Sequence, residues 1–178
     1  MLKVFSTMAT LALIVNSYGL DLYKVNDGNL KMPPLVDNST YANVDEIHTT
    51  HLHIDLKADF NERTLSGFVL HTMKAVKPTL YAQFDIWDLN ITSVYDGIQG
   101  FDLKFWIVDP NPAIGQVLHV ELPWEMSAGE IFDIGIRYST SPTGGAFSWL
   151  TAEQTACGNL PYVLTDCEDI NARTVYPL

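Results

Sequence analysis

The chain has 178 residues, of which 47% are hydrophobic and 17% are charged, and it carries a formal net charge of −11. This composition indicates a folded protein, and the length favours a single domain with enough residues to form a core. The acidic excess argues against nucleic-acid or anionic-membrane partners, because both need a basic surface, but it allows a cationic peptide.

Residues 1–19 resemble a secretory signal peptide with a positively charged start. The apolar stretch at residues 4–15 is too short to span a bilayer, and small residues precede a predicted cut after Gly19. A buried N-terminal helix is the alternative. Glycosylation sequons at Asn38 and Asn90 agree with export. We therefore expect a secreted glycoprotein, and no other stretch is long and apolar enough to cross a membrane.

The remaining sequence predicts short strands separated by turns. Residues 20–47 lack helical periodicity and predict an extended N-terminal arm, followed by one domain over residues 48–178. The predicted strands cover residues 51–60, 65–76, 80–87, 91–95, 103–108, 117–122 and 130–140. The proline-rich segment at residues 109–112 is expected to end the fifth strand after Val108, and residues 123–129 are expected to connect the sixth strand to the seventh. This pattern predicts an all-β antiparallel sandwich or saddle of about seven or more strands.

Alternation within three of these strands predicts which side chains face the core. Polar residues alternate with the apolar ones, so the first strand should have one wet face. The expected inward residues are Leu52, Ile54, Leu56, Ala58 and Phe60 in the first strand, Leu80, Ala82, Phe84 and Ile86 in the third, and Phe132, Ile134, Ile136 and Tyr138 in the seventh.

An acidic cluster lies near the end of the chain, beyond a flexible Ser-Pro-Thr-Gly-Gly link at residues 141–145. The sequence predicts a polar loop, a short strand at residues 162–164, and then Asp166, Glu168 and Asp169. A last short strand is expected after Arg173. Three carboxylates within four residues could receive a cation, and a solvated acidic turn is the alternative.

Two cysteines, Cys157 and Cys167, flank the predicted short strand. An even number of cysteines in an exported chain favours a disulfide bond, which here would close a short loop. Two unpaired thiols are the alternative.

Metal and nucleophile signals are weak. His51 and His53 share one face of the first strand and could meet one metal ion, but a catalytic zinc site needs three protein ligands. None of the five histidines is followed by Glu, so no HExxH motif exists, and GxSxG, GxGxxG and Walker motifs are absent. A solvated strand face is the simpler interpretation of the two histidines. We expect no metal site, no cofactor and no catalytic residue in this chain.

Three motifs carry a resemblance to a known family. They are WLTxEQT at residues 149–155, PYxxxxCxxI at residues 161–170 with an Arg shortly after, and HLHIDLKADFNERTLSG at residues 51–67. Together they resemble the leukotriene hydrolase branch of the zinc aminopeptidases, the aminopeptidase N family. The resemblance implies an N-terminal all-β domain that supplies one loop to an active site built by the next domain. For the full-length family it implies zinc-dependent removal of N-terminal residues, with epoxide hydrolysis in one branch.

The resemblance also implies a role for the acidic loop. In the family the residue after the loop Cys binds the free α-amine of the substrate, and that position is Glu168 here. Asp169 replaces a residue that is usually small, and Asp166 stands where the branch carries a polar amide. We expect these residues to form a substrate-amine site. A secreted, non-catalytic module that binds peptides or proteins is the competing expectation.

The family domain normally continues beyond the position of Leu178. We therefore expect either a fragment of an enzyme or a shortened relative. Such a chain would leave a sheet edge unpaired, which predicts self-association or a partner protein that supplies the missing edge.

Overall fold

The computed structural model describes residues 37–156 and 158–178, in which two β-sheets face each other across a hydrophobic core. Within this part of the chain all strand pairs are antiparallel, so the predicted all-β fold is confirmed. The strands are β1 (Ile47–Asp59), β2 (Thr64–Ala75), β3 (Thr79–Ile86), β4 (Asn90–Asp96), β5 (Phe105–Asn111), β6 (Gly115–Met126), β7 (Ile131–Ser139), β8 (Phe147–Leu150) and β9 (Tyr162–Thr165). Short 3-10 turns occupy Ala152–Gln154 and Asn171–Thr174.

The strands form a four-stranded sheet, a three-stranded sheet and a hairpin. Their orders are β1-β2-β7-β4, β3-β6-β5 and β8-β9. Alternate residues of the two larger sheets fill the space between them, as expected for two facing antiparallel sheets. The most deeply buried apolar side chains include Val69, Phe84, Ile86, Leu118, Val120, Ile134 and Ile136.

Alternation predicted the core well in the interior strands. All four expected inward residues of β7 are buried, and so are Ala82, Phe84 and Ile86 on β3. Leu80 is 42% exposed, so its expected burial was wrong. The cause is a register shift between β3 and β6 at Thr79 and Tyr81, which interrupts the alternation at that position.

Strand β1 departs from the expected pattern. Leu52, Ile54 and Phe60 are 37%, 42% and 40% exposed, so their predicted burial was wrong. The physical reason is position, because β1 lies at the margin of its sheet and pairs only with β2 among the described strands. Leu56 is half-buried and packs against the core cluster.

Prolines did not end two strands as expected. Strand β5 continues through Pro110 to Asn111, and it tolerates the missing N–H because it lies at a sheet margin. Strand β6 continues through Pro123 to Met126, where its pairing with β3 is irregular. The predicted end of the fifth strand and the predicted connection at residues 123–129 were therefore wrong.

The last segment also differs from the prediction. Its short strand is confirmed as β9, but the preceding residues form a partner strand, β8, where a polar loop was expected to begin. The expected final strand after Arg173 was wrong, since Asn171–Thr174 form a 3-10 turn. The chain then reaches Leu178, which exchanges two backbone hydrogen bonds with Asp85 of β3, at 2.6 and 3.1 Å.

Several predictions fall wholly or partly outside the described residues. The signal peptide and residues 20–36 of the N-terminal arm belong to this group, as does Cys157. Asn38 and Asn90, the predicted glycosylation sites, are both exposed. No helix of the described residues has the length and apolar character needed to cross a membrane.

Candidate functional site

The acidic loop, residues 166–170, connects β9 to the 3-10 turn at Asn171–Thr174. The structure brings the predicted Asp166, Glu168 and Asp169 to the surface, and all three are exposed. Because the side chains lie at the surface, a ligand could reach each carboxylate without any rearrangement of the core.

Hydrogen bonds hold the backbone of the acidic loop in place. The Asp166 N–H donates to the Ala146 carbonyl at 2.8 Å, which ties the start of the loop to the segment before β8. The Glu168 N–H donates to Asp166 Oδ1 at 3.2 Å, and the Asn171 N–H donates to the Glu168 carbonyl at 3.3 Å. Asp169 adopts a left-handed backbone conformation with φ of 52°, which Asp tolerates better than most residues.

The carboxylates of the loop differ in their partners. Asp166 already accepts a backbone hydrogen bond within the loop. In the described part of the chain, no hydrogen bond or ion pair reaches the carboxylate of Glu168 or of Asp169. These two groups are therefore available to a cationic ligand.

The arrangement does not resemble a metal centre. Across residues 37–156 and 158–178, no group of three or more His, Cys, Asp and Glu side chains is placed to hold a metal ion. The three loop carboxylates therefore do not converge on one point. His51 and His53 are both exposed on β1, and the His53 ring lies 5.8 Å from the Phe68 ring, centroid to centroid.

Arg173 anchors the C-terminal side of the acidic loop. Its side chain is 4% exposed, and its Nη1 donates to the Ile114 carbonyl at 2.5 Å. Its Nη2 donates to the Ser39 carbonyl at 2.8 Å and lies 3.7 Å from Asp85 Oδ2. One guanidinium thus joins the 3-10 turn to the β5–β6 turn, to the segment before β1 and to β3.

Asp85 completes this buried ion pair. It is 1% exposed, accepts a hydrogen bond from Thr40 Oγ1 at 2.5 Å, and accepts another from the Tyr41 N–H at 2.9 Å. Sequence reasoning noted Arg173 only as part of a motif and missed Asp85. The position of Asp85 between the apolar residues Phe84 and Ile86 was the available signal. An acid within an apolar strand indicates burial, and a buried acid needs a charged or hydrogen-bonding partner.

Exposed apolar side chains lie beside the acidic loop. On β9, Tyr162 and Leu164 are 55% and 47% exposed, and Leu160 just before the strand is 67% exposed. On the partner strand, the Trp149 ring packs edge-on against Phe60 at 5.6 Å, centroid to centroid. The exposed apolar side chains of β9 therefore lie on the strand that leads directly into the acidic loop.

A small cavity of about 190 Å³ lies beside the 3-10 turn. It is lined by Trp87, Asp88, Thr143, Gly144, Gly145, Asn171 and Thr174. None of the three predicted loop acids lines it.

The predicted disulfide stays a prediction. Cys167 is exposed at the centre of the acidic loop, next to Glu168. Its proposed partner Cys157 lies outside the described residues.

No family model matches the chain, but individual proteins do. The chain is 28% identical to leukotriene A-4 hydrolase of Xenopus laevis over 144 residues, which cover 80% of the chain and 23% of that protein. It is 31% identical to leucine aminopeptidase 2 of Yarrowia lipolytica over 147 residues, which cover 83% of the chain and 22% of that protein.

A comparison with solved structures agrees with the sequence comparisons. Leukotriene A4 hydrolase from Saccharomyces cerevisiae superposes with a TM-score of 0.72 and 25% identity, over 84% of this chain and 23% of that structure. The chain belongs to the zinc aminopeptidase and leukotriene A4 hydrolase family. It matches the N-terminal portion of these proteins and spans roughly a quarter or less of their length. The family resemblance of the sequence motifs is thus confirmed.

Proposed function

We propose that this chain is the substrate-anchoring N-terminal domain of a protein like the zinc aminopeptidases and leukotriene A4 hydrolase. In this proposal Glu168 receives the free α-amine of a peptide. The observation that carries the proposal is that Glu168 offers an exposed, unpaired carboxylate on a loop with a hydrogen-bonded backbone. An ionised carboxylate is a strong acceptor for an ammonium group, because both partners carry charge.

The anchored loop supports the proposal through pre-organisation. A ligand that binds a mobile loop must order it, and the lost conformational entropy weakens binding. Here Asp166 is tied to the segment before β8, and Arg173 fixes the other side through buried contacts. The carboxylate of Glu168 is therefore presented on a backbone that needs little further ordering.

The neighbours of Glu168 suit a peptide N-terminus. Asp169 adds a second unpaired negative charge, which raises the local attraction for a cation. The exposed apolar side chains of Tyr162 and Leu164 offer a surface for the side chains that follow the amine. A free peptide amine with an apolar side chain thus fits both features.

Catalysis is proposed to lie outside these 178 residues. The sequence contains no HExxH motif, so a zinc site for peptide hydrolysis has to come from elsewhere. The chain by itself is proposed to bind peptides without cleaving them.

Binding of matched peptides tests the role of Glu168. The chain should bind a peptide with a free N-terminus more tightly than its N-acetylated form, by about 1–3 kcal/mol for a charge-assisted hydrogen bond. Glu168→Gln, which keeps the shape and removes the charge, should erase this preference. Calorimetric titration of each pair measures it.

Two controls make the result specific. Asp169→Asn tolerates the left-handed backbone and should reduce the preference only in part. Glu62→Gln removes an exposed acid from the β1–β2 turn and should leave the preference unchanged. Equal affinity of the wild-type chain for free and acetylated peptides would contradict the proposal.

A second candidate function is a secreted, non-catalytic module that binds peptides or proteins through apolar surface. The exposed Leu160, Tyr162 and Leu164 favour it. This function predicts binding that is insensitive to acetylation and to Glu168→Gln but is lost on Tyr162→Ser. The same titrations therefore separate the two candidates.

A further inference from the structure

Strand β1 has one long edge with which no other described strand pairs. It has 13 residues, lies first in the order β1-β2-β7-β4, and pairs only with β2 among the described strands. An exposed margin strand carries a row of unpaired N–H and C=O groups, which can hydrogen-bond a strand from another chain. Apolar Leu52 and Ile54 are exposed along the same strand.

The backbone orientation identifies which residues of β1 point outward. Leu56 lies opposite Gly67 of β2, and the Asp55 carbonyl oxygen turns toward Gly67 so closely that an added Cβ would meet it at 2.1 Å. Residues of an antiparallel strand alternate in the direction of their backbone groups. The N–H and C=O of Leu56 therefore point away from β2, as do those of Ile54 and Ala58.

The charge pattern of β1 is self-complementary about Leu56. We propose that β1 pairs antiparallel with β1 of a second copy of the chain, with the two-fold axis at Leu56. In this register Asp55 of each copy lies opposite Lys57 of the other. His53 likewise lies opposite Asp59. Each opposed pair forms twice, as a two-fold interface requires.

In the same register, apolar residues of β1 lie opposite apolar residues of the second copy. Ile54 lies opposite Ala58 of the second copy, and Leu52 lies opposite Phe60, the residue directly after β1. On the neighbouring strand, Leu52 and Ile54 pair with the buried His71 and Val69, so they lie on the face that looks toward the core. The dimer therefore continues the core face from one copy to the next and covers apolar area that is exposed in the single chain.

Other registers fit less well. An axis at Ile54 also keeps the pairing within β1, but it places Lys57 opposite His51 and Asp59 opposite Thr49, so it loses the Asp55–Lys57 pairs that the Leu56 axis provides. A two-fold axis at Asp55 or at Lys57 would place that residue against its own copy, and like charges directly opposite each other are destabilising. An axis at Ala58 would leave only residues 57–59 paired within β1, because the strand ends at Asp59. The axis at Leu56 keeps the pairing within β1 from residue 53 to residue 59.

A charge-swap series tests the proposal. Sedimentation over a concentration series should give a wild-type mass twice that of the chain. Asp55→Lys and Lys57→Glu each place like charges in two opposed pairs, and each should weaken dimerisation about tenfold or more. The double variant Asp55→Lys with Lys57→Asp restores the complementarity at unchanged net charge and should recover the wild-type dimer.

Lys74→Glu is the matched control for net charge. Lys74 is exposed on β2, outside the proposed pairing, so its reversal should leave the dimer intact. The substituted side chains are exposed, and circular dichroism of each variant verifies the fold. A wild-type chain that stays monomeric at all concentrations would overturn the proposal, as would dimerisation that is insensitive to the single substitutions.

Cross-linking tests the position of the axis. In a background of Cys157→Ser and Cys167→Ser, Leu56→Cys places two cysteines opposite each other at a Cα separation of about 5.5 Å, which allows a disulfide bond. Ala58→Cys lies on the same face but is displaced from the axis. Rapid oxidation to a covalent dimer is expected only for Leu56→Cys. Equal cross-linking of both variants would contradict the register. None of these outcomes depends on Glu168.

Discussion

At the scale of single residues, His71 is the most consequential buried group that sequence reasoning did not single out. It is 1% exposed on the inner face of β2, its Nδ1 is hydrogen-bonded to Thr49 Oγ1 at 3.0 Å, and its ring lies 4.7 Å from that of Phe84. Burial lowers the pKa of His71 from 6.5 to about 4, and the Pro177 backbone opposes this shift. The imidazole is therefore neutral in the folded protein at neutral pH.

This pKa shift predicts a loss of stability in acid. The unfolded chain binds the proton near pH 6.5, whereas the folded chain binds it only near pH 4. The free energy of unfolding should therefore fall as the pH drops through this window, by about 3 kcal/mol from His71. Urea denaturation at a series of pH values measures the decline.

Substitution isolates the contribution of His71 from that of the carboxylates. His71→Gln should flatten the decline between pH 6.5 and pH 4, since the amide does not titrate. His53→Gln changes an exposed histidine and should leave the decline as in the wild type. The same slope in His71→Gln and in the wild type would contradict the assignment.

The residue scale also shows what alternation can and cannot predict. Alternation placed Phe132 and Ile134 in the core, because an interior strand is covered on its inner face. Alternation failed for Leu52 and Ile54, which are exposed although they belong to an alternating strand. A strand at the sheet margin shows the same alternation as an interior strand, so the pattern does not reveal that its apolar face is left exposed. Sheet order depends on non-local pairing, and one sequence does not display it.

At the scale of elements, the Arg173–Asp85 ion pair connects the core to the acidic loop. Both side chains are almost fully buried, and their hydrogen bonds tie β3 to residues 39–41 and to the β5–β6 turn. A buried charge that loses its partner is costly, because it remains desolvated without compensation. The loop that carries Glu168 should therefore depend on this pair.

Asp85→Asn tests that dependence. It should lower the free energy of unfolding by about 3–5 kcal/mol, since it leaves the Arg173 guanidinium without its buried carboxylate. The matched control is Glu121→Gln, which breaks the exposed Lys104–Glu121 pair of 2.7 Å and should cost less than about 1 kcal/mol. Equal losses in both variants, measured by urea denaturation, would show that burial of the Arg173 pair has no special weight.

Element boundaries were less predictable than element existence. Each of the seven regular strands was anticipated, but prolines were given too much weight at Pro110 and Pro123. Both prolines fit because β5 lies at a margin and because the β3–β6 pairing shifts register. Strand β8 was missed because its four residues are too short to display alternation and depend on β9 for pairing.

At the scale of the whole molecule, the sequence predicts export. The apolar stretch before Gly19 and the sequons at Asn38 and Asn90 carry this expectation. Expression in a eukaryotic secretory host should yield a protein that begins at Leu20 and carries glycan on at least one of the two asparagines. Mass spectrometry before and after glycosidase treatment measures both. An unglycosylated product that retains Met1 inside the cell would contradict the prediction.

The family and the fold could be predicted from motifs, whereas the buried contacts that hold the acidic loop in place could not. Three motifs carried the resemblance, and the resemblance implied the role of Glu168, which stays a prediction. The buried Arg173–Asp85 pair joins residues 88 positions apart, and no local sequence pattern shows such a contact. Long-range electrostatic partners therefore needed the structure.

The central claim is that Glu168 binds the free amine of a peptide, and side-chain NMR tests it most directly. Glu168 can be assigned by comparing the carboxyl ¹³C spectra of the wild type and Glu168→Gln. Addition of a peptide with a free N-terminus should shift the Glu168 carboxyl signal in a saturable manner and leave that of Glu62 unchanged. The N-acetylated peptide should produce no such shift. An unmoved Glu168 signal at saturating free peptide, or the same shift with both peptides, would contradict the claim.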